Sequence, residues 1–249
     1  MLRATLTLLT GGALAQLVPL LLGPAIARLF SPAAFGLFTA FSTVAASVAV
    51  VACARYEYAL PLARSDGEAA ALLALALRIG LAVVALSVPL AWALHAAGRL
   101  PVAWALPLSV AASGLLQLLM MWSNRAERFR ALAISRFVQY AGAAVLQLLL
   151  GWWLWQGAPA GPQAAWALVL GSVAAEALAI AWLAAPAPAG GWGAVLGRSR
   201  GAGLRGVARR YRDFPLLNTP HAFLGTLQDA LAVALLMAWS GEAAAGYWG

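Results

Sequence analysis

Long, almost uncharged apolar segments constrain the fold of this chain more than any other feature of its sequence. A helix needs about 20 mostly apolar residues to cross a hydrocarbon core of about 30 Å, because each residue adds about 1.5 Å. Seven segments meet this requirement, over residues 4–27, 34–62, 69–94, 101–122, 131–155, 163–185 and 214–239, and an eighth begins near residue 243. The sequence therefore predicts an all-α fold, a polytopic bundle of transmembrane helices.

Composition favours the same class and excludes several others. Of the 249 residues, 63% are hydrophobic and 10% are charged, whereas an ordinary soluble domain carries roughly 25% charged residues. The 16 basic and 8 acidic residues give a net charge of +8. Nucleic acid is not an expected partner, because its binding requires basic side chains on a water-facing surface.

Enzyme and metal chemistry lack the residues that they need. Cys53 is the single cysteine, which excludes an internal disulfide, and His95 and His221 lie far apart in the sequence. No nucleophile stands with a base and an orienting group at a recognisable spacing. We therefore expect no enzymatic activity, no cofactor and no metal.

Turn sequences and charge divide the chain into three parts. Residues 1–185 are predicted to form an N-terminal six-helix lobe, residues 186–213 a basic cytoplasmic linker, and residues 214–249 the truncated start of a C-terminal lobe. Eleven arginines fall on the side of the linker, against two, Arg28 and Arg99, on the other. Because cytoplasmic loops are rich in arginine, this bias predicts a cytoplasmic N-terminus. The linker arginines either contact anionic lipid or recognise an acidic partner.

The sequence also indicates an internal repeat at an offset of 210 residues. Residues 31–38 (SPAAFGLF) align with residues 241–248 (GEAAAGYW), and Gly36 then falls on Gly246. Chance similarity between alanine-rich helices is the alternative. If the repeat is real, a second six-helix unit has only begun where the sequence ends, so we expect a part of a longer chain.

Charged residues inside the predicted spans are the candidate functional groups, because charge in a membrane faces the bundle interior or a wet cavity. We expect Arg55, Glu57 and Arg78, together with Arg28, to bind substrate. Arg28 lies at a span end, where snorkelling to the interface is the alternative. Arg136 is interpreted as a snorkelling residue at the start of the fifth span. On an α-helix, Arg55 and Glu57 would diverge and would not pair.

Two acids near the middle of predicted spans are candidates for ion or proton coupling. These are Glu176 in the sixth span and Asp229 in the seventh. The alternative is a buried acid that is paired with arginine or kept neutral. Glutamines in the spans are interpreted as helix–helix hydrogen-bonding residues, namely Gln117, Gln139, Gln147 and Gln228.

Several motifs resemble the oligosaccharide flippases of polysaccharide biosynthesis, within the multidrug/oligosaccharidyl-lipid/polysaccharide exporter superfamily. The motifs are residues 9–19 (LTGGALAQLVP), 28–36 (RLFSPAAFG), 55–57 (RYE), 209–215 (RRYRDFP) and 245–247 (AGY). The resemblance implies two six-helix lobes around a central cavity. It implies translocation of a polyprenyl-pyrophosphate-linked oligosaccharide across the bacterial inner membrane for lipopolysaccharide, O-antigen or exopolysaccharide synthesis. The expected partners are that lipid-linked substrate, membrane lipids and glycan-assembly proteins.

Three alternatives stay open from the sequence. A drug or cation antiporter of the same superfamily would rely on Glu176 and Asp229. A membrane-bound glycan ligase or polymerase is disfavoured, because the predicted loops on the side opposite the linker are short. A non-functional truncated lobe, or one that only docks a glycan-assembly complex, is the structural alternative.

Overall fold

A computed structural model of the chain describes residues 2–98, 100–155, 162–185, 188, 190–199 and 203–248. The long helices are α1 (Leu2–Leu29), α2 (Pro32–Ala49), α3 (Asp66–Ala96), α4 (Leu106–Arg125), α5 (Phe129–Trp155), α6 (Ala165–Ala184) and α9 (Thr219–Ser240). Short helices are α7 (Gly191–Arg198), α8 (Leu204–Arg210) and α10 (Glu242–Trp248), and the 3-10 helices are Tyr56–Leu62, Ala103–Ala105 and Pro162–Ala164. A π-helical turn, Phe214–Asn218, leads into α9. These described residues contain no β-strand, which confirms the all-α prediction.

Six helical segments in the described part of the chain are long and apolar enough to cross a membrane. They correspond to the second through seventh predicted spans. The first predicted span corresponds to α1, in which Ala15–Leu29 forms an apolar stretch. Large apolar side chains such as Leu20, Leu81 and Trp153 are more than 70% exposed, as expected where a helix faces lipid rather than water. The chain is a multi-pass membrane protein.

The second span is shorter than the sequence predicts. Helix α2 ends at Ala49, and residues 50–55 form turns before the 3-10 helix Tyr56–Leu62 begins. Ala54 and Arg55 have φ angles of 47° and 61°, in the left-handed region that interrupts an α-helix. The prediction of one span to residue 62 is wrong, because apolar composition alone does not reveal a left-handed turn.

Two serine caps fix where helices begin. Ser31 Oγ accepts a hydrogen bond from Ala34 N at 3.2 Å, and Pro32 occupies the first turn of α2, where its missing N–H costs nothing. Ser65 Oγ accepts from Glu68 N at 3.2 Å at the start of α3. Both caps lie at turns that the sequence predicts.

Five of the long helices pack in the order α1, α5, α6, α4 and α3, and α2 lies against α4 and α6. Helix α9 contacts mainly α2 and α10, and Val233 is its one buried residue. Ser47 on α2 donates to the backbone oxygen of Thr226 on α9 at 3.1 Å. The first six long helices thus form one packed unit with α9 attached at its edge through α2.

The two glycines of the sequence repeat pack against each other. A Cβ atom on Gly36 would collide with the backbone oxygen of Glu242, and a Cβ atom on Gly246 would collide with the backbone oxygen of Pro32. Pro32 and Glu242 are themselves 210 residues apart. Each half of the repeat therefore makes the same contact on the other, as in a two-fold arrangement. This reciprocity supports the repeat over chance similarity.

The predicted linker contains two helices that dock on the bundle. Helices α7 and α8 both pack against α3. Glu68 Oε1 accepts from Arg210 Nη1 at 2.7 Å, and its Oε2 accepts from the Arg64 backbone N–H at 2.7 Å. The Tyr56 hydroxyl donates to the backbone oxygen of Ala208 at 3.2 Å. Residues 186, 187, 189 and 200–202 of this segment, and Arg99, lie outside the described residues.

Candidate functional site: a polar cavity inside the bundle

A cavity of about 570 Å³ opens between the 3-10 helix Tyr56–Leu62 and helices α2, α4, α5 and α6. Its size suits a ligand of several rings, since ligand pockets usually measure about 300–1,000 Å³. Its polar lining comes from Gln16, Arg55, Glu57, Tyr58, Ser113, Gln117, Arg136, Gln139, Tyr140, Glu176 and Thr226. Such a concentration of polar side chains within an apolar bundle indicates a binding site.

Arg55 enters the cavity from the left-handed turn after α2. Its guanidinium carbon lies 5.0 Å from the centre of the Tyr58 ring, which is a cation–π contact. The Tyr58 hydroxyl accepts a hydrogen bond from Gln117 Nε2 at 3.1 Å. Arg55 Nε is buried without a hydrogen-bond partner. The side chain thus contacts a ring, forms no ion pair among the described residues, and leaves its Nε donor unsatisfied.

Glu57 follows on the same wall and is 3% exposed. Its Oε2 atom is buried without a hydrogen-bond partner. Burial raises the pKa of this carboxyl, while a backbone hydrogen bond and the charge of Arg55 act in the opposite direction. A buried unpartnered acceptor costs free energy unless a ligand or water donates to it.

Helix α5 contributes a polar face to the opposite wall. Arg136, Gln139 and Tyr140 line the cavity at spacings of three and four residues, which place them on one side of a helix. Arg136 is exposed toward the cavity and forms no ion pair among the described residues. The cavity therefore holds two arginines from different elements.

Glu176 lies where α6 faces α4 and α5. The Ser113 hydroxyl lies 3.0 Å from both Glu176 Oε1 and Oε2, and Gln139 contributes a further side-chain hydrogen bond. Glu176 also borders a second cavity of about 200 Å³ between α2, α4 and α6. No arginine pairs with Glu176 in the described part of the chain.

The sequence-predicted site residues divide into two groups. Arg55, Glu57 and Glu176 meet in the polar cavity. Arg28 lies exposed in the last turn of α1, and Arg78 lies exposed on α3. Neither Arg28 nor Arg78 lines this cavity. Asp229 lies exposed on α9, beside a cavity of about 300 Å³ that shares Ala46 and Thr226 with the main cavity.

On sequence grounds, Arg136 is interpreted as a snorkelling residue and Tyr140 has no assigned role. The signal was present, because Arg136, Gln139 and Tyr140 repeat at helical spacing in an otherwise apolar helix. The helix–helix hydrogen bond predicted for Gln139 is present, because Gln139 on α5 bonds to Glu176 on α6. Gln147 does make the helix–helix contact that was predicted for it, donating to Ser172 Oγ at 2.9 Å and to the backbone oxygen of Leu168 at 3.0 Å.

The cavity chemistry suits a ligand that carries both negative charge and hydroxyl groups. Guanidinium groups pair with phosphate oxygens, and the amide and phenol side chains exchange hydrogen bonds with hydroxyls. In the described residues, no cluster of three or more His, Cys, Asp or Glu side chains is placed to hold a metal ion.

Comparisons with known proteins add no relative. No protein-family model, no curated protein and no solved structure matches this chain.

Proposed function

We propose that this chain belongs to a transporter that moves a polyprenyl-pyrophosphate-linked oligosaccharide across the bacterial inner membrane, as the resemblance to oligosaccharide flippases implies. The observation that carries the proposal is the cavity of about 570 Å³ inside an apolar bundle, which Arg55 and Arg136 line from different elements. Neither arginine forms an ion pair among the described residues, and guanidinium groups bind phosphate oxygens, while Glu57 and Glu176 in the same cavity offset part of their charge. The tyrosine, glutamine and glutamate side chains beside them offer hydrogen bonds to sugar hydroxyls.

The direction of transport follows from charge. The arginine-rich side of the bundle is expected to face the cytoplasm, where lipid-linked sugars are assembled. Export then moves the head group to the opposite face. A sugar pyrophosphate does not cross hydrocarbon unaided, since burying unpaired charge in lipid costs many kcal/mol. A polar cavity in the bundle replaces the lost hydration.

The proposal is tested by binding of farnesyl-pyrophosphoryl-glucose to the purified chain in nanodiscs. This probe is a diester whose phosphates stay ionised near neutral pH. We expect saturable binding that Arg55→Gln weakens by about tenfold or more, since a charge-assisted hydrogen bond contributes about 1.5–3 kcal/mol. Arg78→Gln serves as the control, because Arg78 lies outside the cavity. Equal loss of binding in both variants, or no saturable binding, contradicts the proposal.

A drug or cation antiporter is the second candidate, favoured by the two carboxyl groups of Glu57 and Glu176 in the same cavity. This candidate predicts binding of a cation rather than of an anionic pyrophosphate. A lipophilic cation such as tetraphenylphosphonium would bind, and Glu57→Gln would weaken its binding while Arg55→Gln would not. The two candidates are separated by measuring both probes on the same variants.

A further inference from the structure

We infer that Glu176 is a proton-binding site, and that its protonation is linked to binding of an anionic head group in the polar cavity. The link to the anion rests on the proposed function. The proton site itself rests on the geometry around Glu176, whose hydrogen-bond partners can serve both the carboxylate and the carboxylic acid.

The partners of Glu176 are the first ground. The Ser113 hydroxyl lies 3.0 Å from both carboxyl oxygens. A hydroxyl donates to a carboxylate but accepts from a carboxylic acid, and the Gln139 amide offers both a donor and an acceptor. An arginine at the same distance would hold the carboxyl ionised. Glu176 therefore keeps hydrogen-bond partners before and after it takes up a proton.

The charges around Glu176 are the second ground. Helix α5 presents Arg136 and Tyr140 to the cavity, and the segment after α2 presents Arg55, Glu57 and Tyr58. The other elements packed against α6 are α2, α4 and the 3-10 helix Pro162–Ala164. Their only ionisable residue is Arg125, in the last turn of α4, where it pairs with Asp66.

Access for water is the third ground. Glu176 borders both the main cavity and the smaller one, which also has Ser42, Ser109 and Ser172 in its wall. Ser109 Oγ is buried there without a hydrogen-bond partner. The space of about 200 Å³, whose wall combines these serines with apolar side chains, is large enough for several waters. A proton can therefore reach the carboxylate from water on either side, and protonation converts one negative charge in the wall to a neutral acid.

The sign of the linkage follows from charge. Ionised Glu176 offsets part of the positive potential of Arg55 and Arg136, whereas the protonated acid leaves the cavity more positive by one charge. An anionic head group therefore binds more tightly when Glu176 is protonated. By reciprocity, the bound anion raises the proton affinity of Glu176.

Calorimetric titration with farnesyl-pyrophosphoryl-glucose tests the linkage, in buffers that differ in ionisation enthalpy. With the wild-type chain in nanodiscs we expect proton uptake on binding and affinity that rises about tenfold from mildly alkaline to mildly acidic pH. Glu176→Gln, a neutral isostere, should bind tightly at every pH with no proton uptake. Asp229→Asn removes another intramembrane carboxyl, one that does not line the main cavity, and should behave as wild type. Proton uptake that persists in Glu176→Gln, or that disappears in Glu57→Gln instead, overturns the assignment.

A second measurement keeps the proton site testable when the probe does not bind. Infrared difference spectra of the ligand-free chain should show a buried carboxylic acid band that grows on mild acidification and is absent in Glu176→Gln. Ser113→Ala should shift the pH midpoint of this band, because it removes the hydroxyl that contacts both oxygens. Absence of binding with the band present defeats the proposed function and leaves the proton site standing. Absence of the band overturns the proton site.

Discussion

Residue by residue, backbone conformation decides which charged groups share the cavity. On a continuous α-helix, Arg55 and Glu57 would point in different directions. The left-handed φ of 61° at Arg55 and the 3-10 helix after it bring both side chains to one wall instead. Non-glycine residues in this conformation cost roughly 1 kcal/mol or more and concentrate at functional sites. The turn therefore belongs to the binding site as much as the side chains do.

Arg136 provides a direct test of the α5 face. We expect Arg136→Gln to weaken binding of farnesyl-pyrophosphoryl-glucose by about tenfold, because it removes one of two cationic donors from the cavity. The matched control is Arg130→Gln, the same substitution six residues earlier on α5, at a residue that does not line the cavity. Equal effects of both substitutions would mean that general surface charge, rather than the cavity, attracts the probe.

Between elements, Glu68 is one of the residues that hold the linker to the bundle. This carboxyl joins the Arg64 backbone and the Arg210 side chain, and its side chain is 9% exposed. We expect Glu68→Ala to accelerate tryptic cleavage at Arg205, because α8 loses its ion pair and the Arg64 N–H loses its acceptor, at a cost of about 1–3 kcal/mol.

Asp66 offers the matched control for the linker, since it lies on the same helical turn. Its side chain is 80% exposed and pairs with Arg125 of α4 rather than with the linker. An exposed pair of this kind contributes about 0–1 kcal/mol, so Asp66→Ala should leave cleavage at Arg205 unchanged. Unchanged cleavage in Glu68→Ala would show that apolar packing of Val207 and Tyr211 suffices to dock α8.

The contact between α2 and α10 depends on two glycines. Gly36→Ala should lower the free energy of unfolding by about 1–3 kcal/mol, because the added methyl group meets backbone that cannot rotate away. Gly23→Ala on α1 is the control, since nothing lies within 4 Å of a Cβ there. Thermal unfolding monitored by fluorescence measures both variants.

Because Gly36 and Gly246 lie in the same contact between α2 and α10, the double variant gives a second test of this contact. Once either substitution has separated α10 from α2, the other has little left to disrupt, so Gly36→Ala with Gly246→Ala should cost clearly less than the sum of the single effects. Strict additivity would show that the two glycines do not share one interface.

For the molecule as a whole, hydrophobic length predicts most of the architecture. The predicted spans over residues 69–94, 131–155 and 163–185 overlap α3, α5 and α6 closely. A long apolar segment in lipid forms a helix, because a helix satisfies its backbone hydrogen bonds within the segment. The prediction missed the break after Ala49 because residues 50–54 continue the apolar run, and the charged residues Arg55 and Glu57 come only after it. The cavity depends on that break and on packing between helices distant in sequence, so the sequence identified only Arg55, Glu57 and Glu176 among its charged residues.

The orientation of the whole molecule in the membrane sets the direction of the proposed transport. The arginine bias predicts that the linker lies in the cytoplasm and the turn after α3 on the opposite face. Cys53 is buried, so Cys53→Ala gives a background without cysteine, to which Arg205→Cys or Ala97→Cys adds one exposed thiol. In intact cells, a membrane-impermeant maleimide should label the cysteine at position 97 and leave the one at position 205 unlabelled until the membrane is opened. The reverse pattern would invert the bundle and place the arginine-rich end on the outer face, and transport would then run toward the cytoplasm.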